Sequence, residues 1–299
     1  MTSVAFIGLG NMGAGMAANL AKSGVTVAAF DISAAALDRA RASGCEVATS
    51  AAEGVRGAET VITMLPAAEH VRQVYRDDIA PNATNGALLI DCSTIDVDSA
   101  RAVAKEVGDM GFRFADAPVS GGVAAAEAGS LTFMVGCADA DLAAVEAALK
   151  PMAKAVIHAG GPGAGQSAKI CNNMLLGISM LGVAEAFALA EKLGLAPERF
   201  FEIASASSGQ CWSLTSYCPW PGPVPAAPSN RGYEGGFLTS LMLKDLKLAQ
   251  AAAAGAGAAT PMGAQAEALY ALFAGLGHGR KDFSAVLQLM RGKLAELAS

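Results

Sequence analysis

The stretch Val4-Ala5-Phe6-Ile7-Gly8-Leu9-Gly10-Asn11-Met12-Gly13 decides the fold. Its first four residues read as a buried strand, and residues 12–23 as a helix. Between them lies the spacing GxGxxG. Alone that spacing is a weak signal. Here it follows a strand, opens a helix and sits in a βαβ unit of about 30 residues, where it marks a dinucleotide-binding turn. Gly8 permits the tight turn, Gly10 lets a pyrophosphate approach the backbone, and Gly13 lets helix and strand pack closely. Leu9, Asn11 and Met12 complete the turn, and the helix start offers unpaired N–H groups to phosphate.

Asp31 lies at the end of the second expected strand, 23 positions after Gly8. An acidic residue at this distance accepts hydrogen bonds from the adenosine ribose and repels a 2′-phosphate. With no arginine before Arg39, this favours NAD over NADP. The same residue is also placed to cap the following helix.

Further out, short β-rich runs alternate with helical stretches. Strands are expected over 4–7, 25–30, 46–48, 60–65, 88–91, 114–117, 131–135 and 155–157. Helices are expected over 12–23, 32–42 and 139–150. Such alternation implies a doubly wound, mostly parallel sheet, an α/β Rossmann domain. The pattern changes at Gly160-Gly161-Pro162-Gly163-Ala164-Gly165. Beyond it, residues 166–192 form one long apolar stretch without proline, which reads as an interdomain helix buried between domains or subunits. More helices are expected over 197–206, 238–254, 262–276 and 283–298. The chain therefore divides into a nucleotide-binding domain over 1–162 and an all-helical substrate and oligomerisation domain over 163–299.

Composition narrows the function. Of 299 residues, 53% are hydrophobic and 16% charged, against a usual charged share of about 25%, so a large core is available. The net charge is −6 and no basic run occurs, which argues against a nucleic-acid partner. The start Met1-Thr2-Ser3-Val4 lacks a basic or Arg-rich leader, which points to a cytoplasmic protein. The longest charge-free run, between Glu202 and Arg231, is rich in Ser, Pro and Gly and reads as a loop, so no membrane span is expected. The six cysteines form no CxxC pair and the three histidines share no metal spacing, so no metal site is expected.

Hydride transfer from an alcohol needs a base and a substrate anchor beside the nicotinamide. Lys169 stands near the start of the long apolar helix. Asn173, four residues on, shares its face. Burial and a nearby cofactor charge would lower the lysine pKa towards neutrality and let it exchange the hydroxyl proton, with Asn173 holding the oxygen. The alternative is an ammonium that snorkels to the surface. Ser120, with the N–H groups of Gly121 and Gly122, forms an anion-sized nest suited to a carboxylate; an ordinary glycine turn is equally compatible. Leu65-Pro66 and Thr94 lie at later strand ends, where an open parallel sheet binds ligands. Thr94 either contacts the nicotinamide side or caps the next helix. His70 reads as a helix residue near the cofactor.

These motifs, with Gly163-Ala164-Gly165-Gln166-Ser167-Ala168-Lys169-Ile170-Cys171-Asn172-Asn173 and Leu241-Met242-Leu243-Lys244-Asp245-Leu246, resemble the β-hydroxyacid dehydrogenase family over nearly the whole chain. Within it, Gly209-Gln210-Cys211-Trp212-Ser213, the Pro-rich segment 219–228 and Tyr233-Glu234-Gly235-Gly236-Phe237 are similar to the members that oxidise 3-hydroxyisobutyrate in valine breakdown. The resemblance implies Lys169 as catalytic lysine with Asn173 as its helper. It implies that Ser120, Gly121 and Gly122 bind the substrate carboxylate, and that Thr94 and Lys244 contact NAD with Asp245 nearby. Trp212, with Phe237, would shape the side that accepts the C2 methyl. It also implies a homo-oligomer, dimer or tetramer, acting on a small-molecule 3-hydroxy acid. Relatives that reduce glyoxylate or succinic semialdehyde with NADPH resemble Asn-Arg at the Asp31-Ile32 position, and this chain departs from them. L-serine or another short 3-hydroxy acid is the alternative substrate. A non-catalytic NAD(H)-binding module is the alternative class, and the presence of Lys169 argues against it.

Overall fold

The structure, a computed structural model, describes residues 3–297. The chain divides into two compact units, Met1–Lys169 and Ile170–Ser299.

The first unit is built on a nine-stranded sheet. In chain order it contains β1 (Ser3–Ile7), α1 (Gly13–Lys22), β2 (Thr26–Phe30), α2 (Ala34–Ala42), β3 (Glu46–Val47), α3 (Ala51–Gly54), β4 (Thr60–Thr63) and α4 (Ala68–Val74). It continues through β5 (Leu88–Asp91), α5 (Val97–Asp109), β6 (Arg113–Asp116), β7 (Val119–Ser120), α6 (Gly122–Ala128), β8 (Leu131–Cys137), α7 (Leu142–Leu149) and β9 (Ala153–Gly160). The order β3-β2-β1-β4-β5-β6 is parallel throughout, and the order reverses between β1 and β4. That reversal is the doubly wound arrangement, and it leaves a crevice at the carboxyl ends of the strands. Beyond β6 the sheet becomes mixed. β8 runs antiparallel to β6 and β7, and β9 runs parallel to β8.

Strands buried on both faces explain the continuous apolar runs. Phe6, Ile62 and Ile90 face one core with Met16, Leu20 and Phe133. Ala5, Val61 and Leu89 face the other, with Val71, Tyr75 and Val103. β4 is shorter than expected. Met64 N–H still donates to Ile7 O at 2.9 Å, but Leu65 N–H turns away to Ser93 Oγ at 2.8 Å, so the chain leaves the ladder there.

The long helix α8 (Ala164–Lys192) begins in the first unit and continues through the second. The second unit adds α9 (Pro197–Ser205), α10 (Trp212–Thr215), α11 (Thr239–Ala256), α12 (Pro261–Phe273) and α13 (Val286–Arg291), and its described residues form no strand longer than a bridge. Its core gathers Met180, Ala184 and Phe187 of α8, Met242 and Leu246 of α11, and Tyr270 and Phe273 of α12. Gly177 lets α11 approach α8, since a Cβ there would press on Leu246 and Met242 at 3.2–3.4 Å. By length and composition α8 could cross a membrane, yet 44% of its apolar window is buried in the protein.

Several expectations change. The helix expected over 283–298 is broken: a short 3₁₀ turn leads into α13, which ends at Gly292 with φ 69°, a conformation glycine adopts without strain. Ala298, in that expected helix, lies outside the described residues. The helix over 262–276 ends as α12 at Phe273 and passes into a π turn containing Gly277 at φ 96°. In the single chain α8 leaves Leu175 and Leu189 63% and 60% exposed, which leaves the expected burial between subunits open. The Pro-rich segment 219–228 is fastened to its own unit. Tyr233 OH donates to Pro219 O at 2.9 Å, Asn230 ties down Gly222 and Val224, and Trp220 stacks on Phe187 under the Arg291 guanidinium.

Candidate active site

The glycine turn has little room for side chains. Gly8 sits at φ 98°, and a Cβ there would collide with the Met64 carbonyl; one at Gly13 would collide with the Gly8 carbonyl. Gly10 is different: it is exposed, and nothing lies within 4 Å of a Cβ built there. Its backbone is open to a ligand. Met12, just before α1, gives no side-chain cap, and the first turn has no acidic residue. Ala14 N–H donates to Gly10 O at 3.1 Å, and the positive dipole end of the helix favours an anion.

Asp31 closes the turn from the side. Its Oδ2 accepts the N–H of Leu9 at 2.6 Å, and its Oδ1 accepts that of Ser33 at 2.8 Å. The residue at the start of α2 is Ser33, so Asp31 makes a local turn ahead of the helix and is not its cap. A carboxylate accepts about four hydrogen bonds, which leaves capacity for two ribose hydroxyls. Ile32, beside it, is 96% exposed. These features fit an adenine dinucleotide: a glycine turn packed tightly at Gly8 and Gly13 and open at Gly10, an uncapped helix start and an acid at the second strand end.

Leu65-Pro66 and Thr94 occupy the ends of β4 and β5. Ser93 ties them together, donating through Oγ to Asp91 Oδ1 at 2.6 Å and accepting Leu65 N–H. α5 is capped by Asp96, whose carboxylate accepts Ser99 N–H at 2.7 Å, so Thr94 is not the cap. His70 lies in α4 and is exposed.

Past β6 the chain runs through Ala117-Pro118-Val119 to Ser120, which is partly exposed, and to Gly121 and Gly122 at φ 135° and 72°. Both angles lie in the positive-φ region that favours glycine, at the turn where the sequence places the carboxylate nest. Lys169 comes to the same place. It is 7% exposed, and its Nζ donates to Val119 O at 2.7 Å. The ammonium therefore does not snorkel to solvent. It sits one residue from the Ser120 nest.

In the second unit Asn173, 2% exposed, donates through Nδ2 to Asp245 Oδ2 at 2.5 Å. Lys244 Nζ lies 3.8 Å from the other Asp245 oxygen. Trp212 is 52% exposed and stacks on Tyr217 with ring centroids 4.9 Å apart, while Tyr217 OH donates to Asp282 at 2.7 Å. Burial and the adjoining Asp282 push the Tyr217 phenol well above its usual range, so it stays a donor.

Sequence reasoning assigned no role to Gln166, Tyr217 or Asp282. Gln166 lies inside the Gly163–Asn173 motif, but its partners are 71 and 73 positions away. Among the described residues, no group of three or more His, Cys, Asp or Glu could hold a metal ion.

Fold and glycine turn together define a Rossmann-type, NAD-dependent oxidoreductase with a helical second unit. Residues 3–161 match the family described as the NAD binding domain of 6-phosphogluconate dehydrogenase. Residues 163–290 match that described as NAD-binding of NADP-dependent 3-hydroxyisobutyrate dehydrogenase. The 3-hydroxyisobutyrate dehydrogenase of Pseudomonas aeruginosa is 48% identical, covering 98% of this chain and 100% of that protein. The NAD-dependent L-serine dehydrogenase of the same organism is 47% identical, covering 97% and 98%. The solved structure of Mycobacterium tuberculosis 3-hydroxyisobutyrate dehydrogenase with L-serine superposes with a TM-score of 0.94 at 47% identity, covering 97% of this chain and 99% of that one. The chain belongs to the 3-hydroxyisobutyrate dehydrogenase family of β-hydroxyacid dehydrogenases.

Proposed function

We propose that this protein oxidises 3-hydroxyisobutyrate to methylmalonate semialdehyde with NAD, Lys169 acting as the general base. The observation that carries the reading is the buried Lys169 ammonium on Val119 O, beside the Ser120-Gly121-Gly122 nest. NAD, when bound, supplies the hydride acceptor. Ser120 and the N–H groups of Gly121 and Gly122 hold the substrate carboxylate, which fixes C3. Lys169, in its neutral form, takes the hydroxyl proton as the C–H bond gives up hydride. Asn173, one helical turn further along α8, holds the reacting oxygen. Gly8, Leu9, Gly10, Asn11, Met12 and Gly13 cradle the pyrophosphate, and Leu65, Pro66, Thr94 and Lys244 line the rest of the cofactor. Asp31 selects NAD over NADP by accepting from the ribose hydroxyls and repelling a 2′-phosphate. Trp212 meets the apolar side of the substrate.

Such an activity belongs to valine breakdown. A cytosolic setting is supported by the six free cysteines. A dimer or tetramer is supported by Leu175, Leu189 and Leu193, which are 63%, 60% and 75% exposed. The domain boundary proposed at 162/163 falls between the two family matches.

L-serine is the second reading, favoured by the L-serine dehydrogenase relative. The two substrates differ by one methyl against one ammonium, worth a few kcal/mol in such a pocket. Comparing kcat/KM for 3-hydroxyisobutyrate and L-serine with NAD⁺ tests the choice. A preference for 3-hydroxyisobutyrate is expected, and a large preference for serine would overturn it.

A further inference from the structure

Two buried polar side chains of the first unit lie outside the chemistry above, and both tie the start of α8 to the sheet. Gln166 is fully buried one turn before Lys169. Its Nε2 donates to Ser93 O at 2.7 Å and its Oε1 accepts Ile95 N–H at 3.2 Å. Only one orientation of the amide satisfies both groups, so the pair grips the backbone on each side of Thr94. Asp116, also fully buried, accepts Gly163 N–H at 2.6 Å and Gln166 N–H at 2.8 Å. It ends β6, four positions before Ser120. Gly165 makes the approach possible: a Cβ there would lie 2.6 Å from Asp116 O.

We propose that Gln166 is a positioning residue for the dehydrogenase reaction. Together with Asp116 it locks the turn of α8 that carries Lys169 to the Thr94 loop and the Ser120 strand. Three groups assigned to different steps, the base, the nicotinamide-side loop and the carboxylate nest, are thereby held in one frame. Each bond in that frame is between buried groups, where losing a partner leaves an unsatisfied donor or acceptor. A shift of about 1 Å in a reacting group costs on the order of a hundredfold in rate. The inference rests on Lys169 being the base.

The test is a double-mutant cycle read in kcat. Gln166→Met keeps the side-chain volume and removes both bonds. In the wild-type background it should lower kcat by about 10–100-fold, with the KM for the hydroxy acid changed less than about threefold. In the Lys169→Ala background it should change the residual rate by less than about twofold, because the group it positions is gone. Equal losses in both backgrounds, or no loss in the wild type, would overturn the proposal. Lys169→Ala alone reports on the base itself: unchanged turnover there condemns the proposed function, independently of Gln166. If Gln166→Met does not fold, Gln166→Glu, which cannot donate to Ser93 O when ionised, takes its place in the same cycle. Failure of both to fold would make the residue structural only and sink the proposal.

Discussion

Asn173 is oriented by Asp245: its Nδ2 donates to Asp245 Oδ2 at 2.5 Å, while its own Oδ1 accepts Asn172 Nδ2–H at 3.0 Å. With both ends of the amide engaged, the second Nδ2–H is the one that the proposed mechanism aims at the substrate oxygen. Asp245→Ala should lower kcat by about 10–100-fold, since the amide is no longer held. Asp245→Asn, whose carbonyl oxygen can still accept, should lose less. Steady-state kinetics of the two variants check this, and equal activity of both with wild type would remove Asp245 from the site.

The proposed ribose contact makes Asp31 the determinant of cofactor preference. Asp31→Arg replaces an acceptor for ribose hydroxyls by a partner for a 2′-phosphate, and the NADP-to-NAD ratio of kcat/KM should rise by about tenfold or more. The variant also gives up the Leu9 and Ser33 N–H contacts, so some thermal stability should go with it. An unchanged ratio would refute the ribose role.

The glycines of the turn separate folding from binding. Gly13→Ala forces a methyl onto the Gly8 carbonyl and should destabilise the fold by about 1–3 kcal/mol. Gly10→Ala meets nothing within 4 Å, so its melting temperature should match wild type while NADH binds more weakly. Thermal melts and NADH fluorescence titrations distinguish the two, and a Gly10→Ala variant with normal NADH affinity would place the pyrophosphate elsewhere.

The path of the chain through the first unit was readable from period and punctuation. Val4–Ile7 before the glycine turn, and Thr60–Thr63 before Pro66, carry local signals that the fold keeps, although the Ser93 contact ends the second strand two residues early. Lys169 was half legible: a lone cation at the head of a long apolar helix stands out, but whether it is buried or snorkels to solvent is decided by the Val119 carbonyl, 50 positions away. Gln166 was not, because its partners lie more than 70 positions away and only the folded sheet brings Ser93 and Ile95 to it. Asp282 and Tyr217 were hidden for the same reason, 65 residues apart. At the C-terminal end, apolar content suggested a continuous helix, yet Gly292 carried a stop signal that hydrophobic content outweighed.

Asp116 predicts a pH signature. Burial raises its carboxyl to about 6 from an ordinary 3.8, and the nearby Asp91 adds to the rise; the N–H groups of Gly163 and Gln166 oppose it. A folded-state pKa above the unfolded value means that the native state binds the proton more tightly. This group therefore costs stability as pH rises from about 4 to about 6, on the order of 3 kcal/mol in full. The stability difference between Asp116→Asn and wild type should shift in favour of the variant across that window and be flat above about pH 7. A difference independent of pH would show that the carboxyl titrates normally.

The proposed role of Lys169 as base is tested most directly by Lys169→Ala, assayed for turnover and for NADH binding on the same preparation. Loss of kcat by about 10²–10⁴-fold is expected, with NADH affinity within about twofold of wild type. Wild-type turnover in that variant would contradict the account.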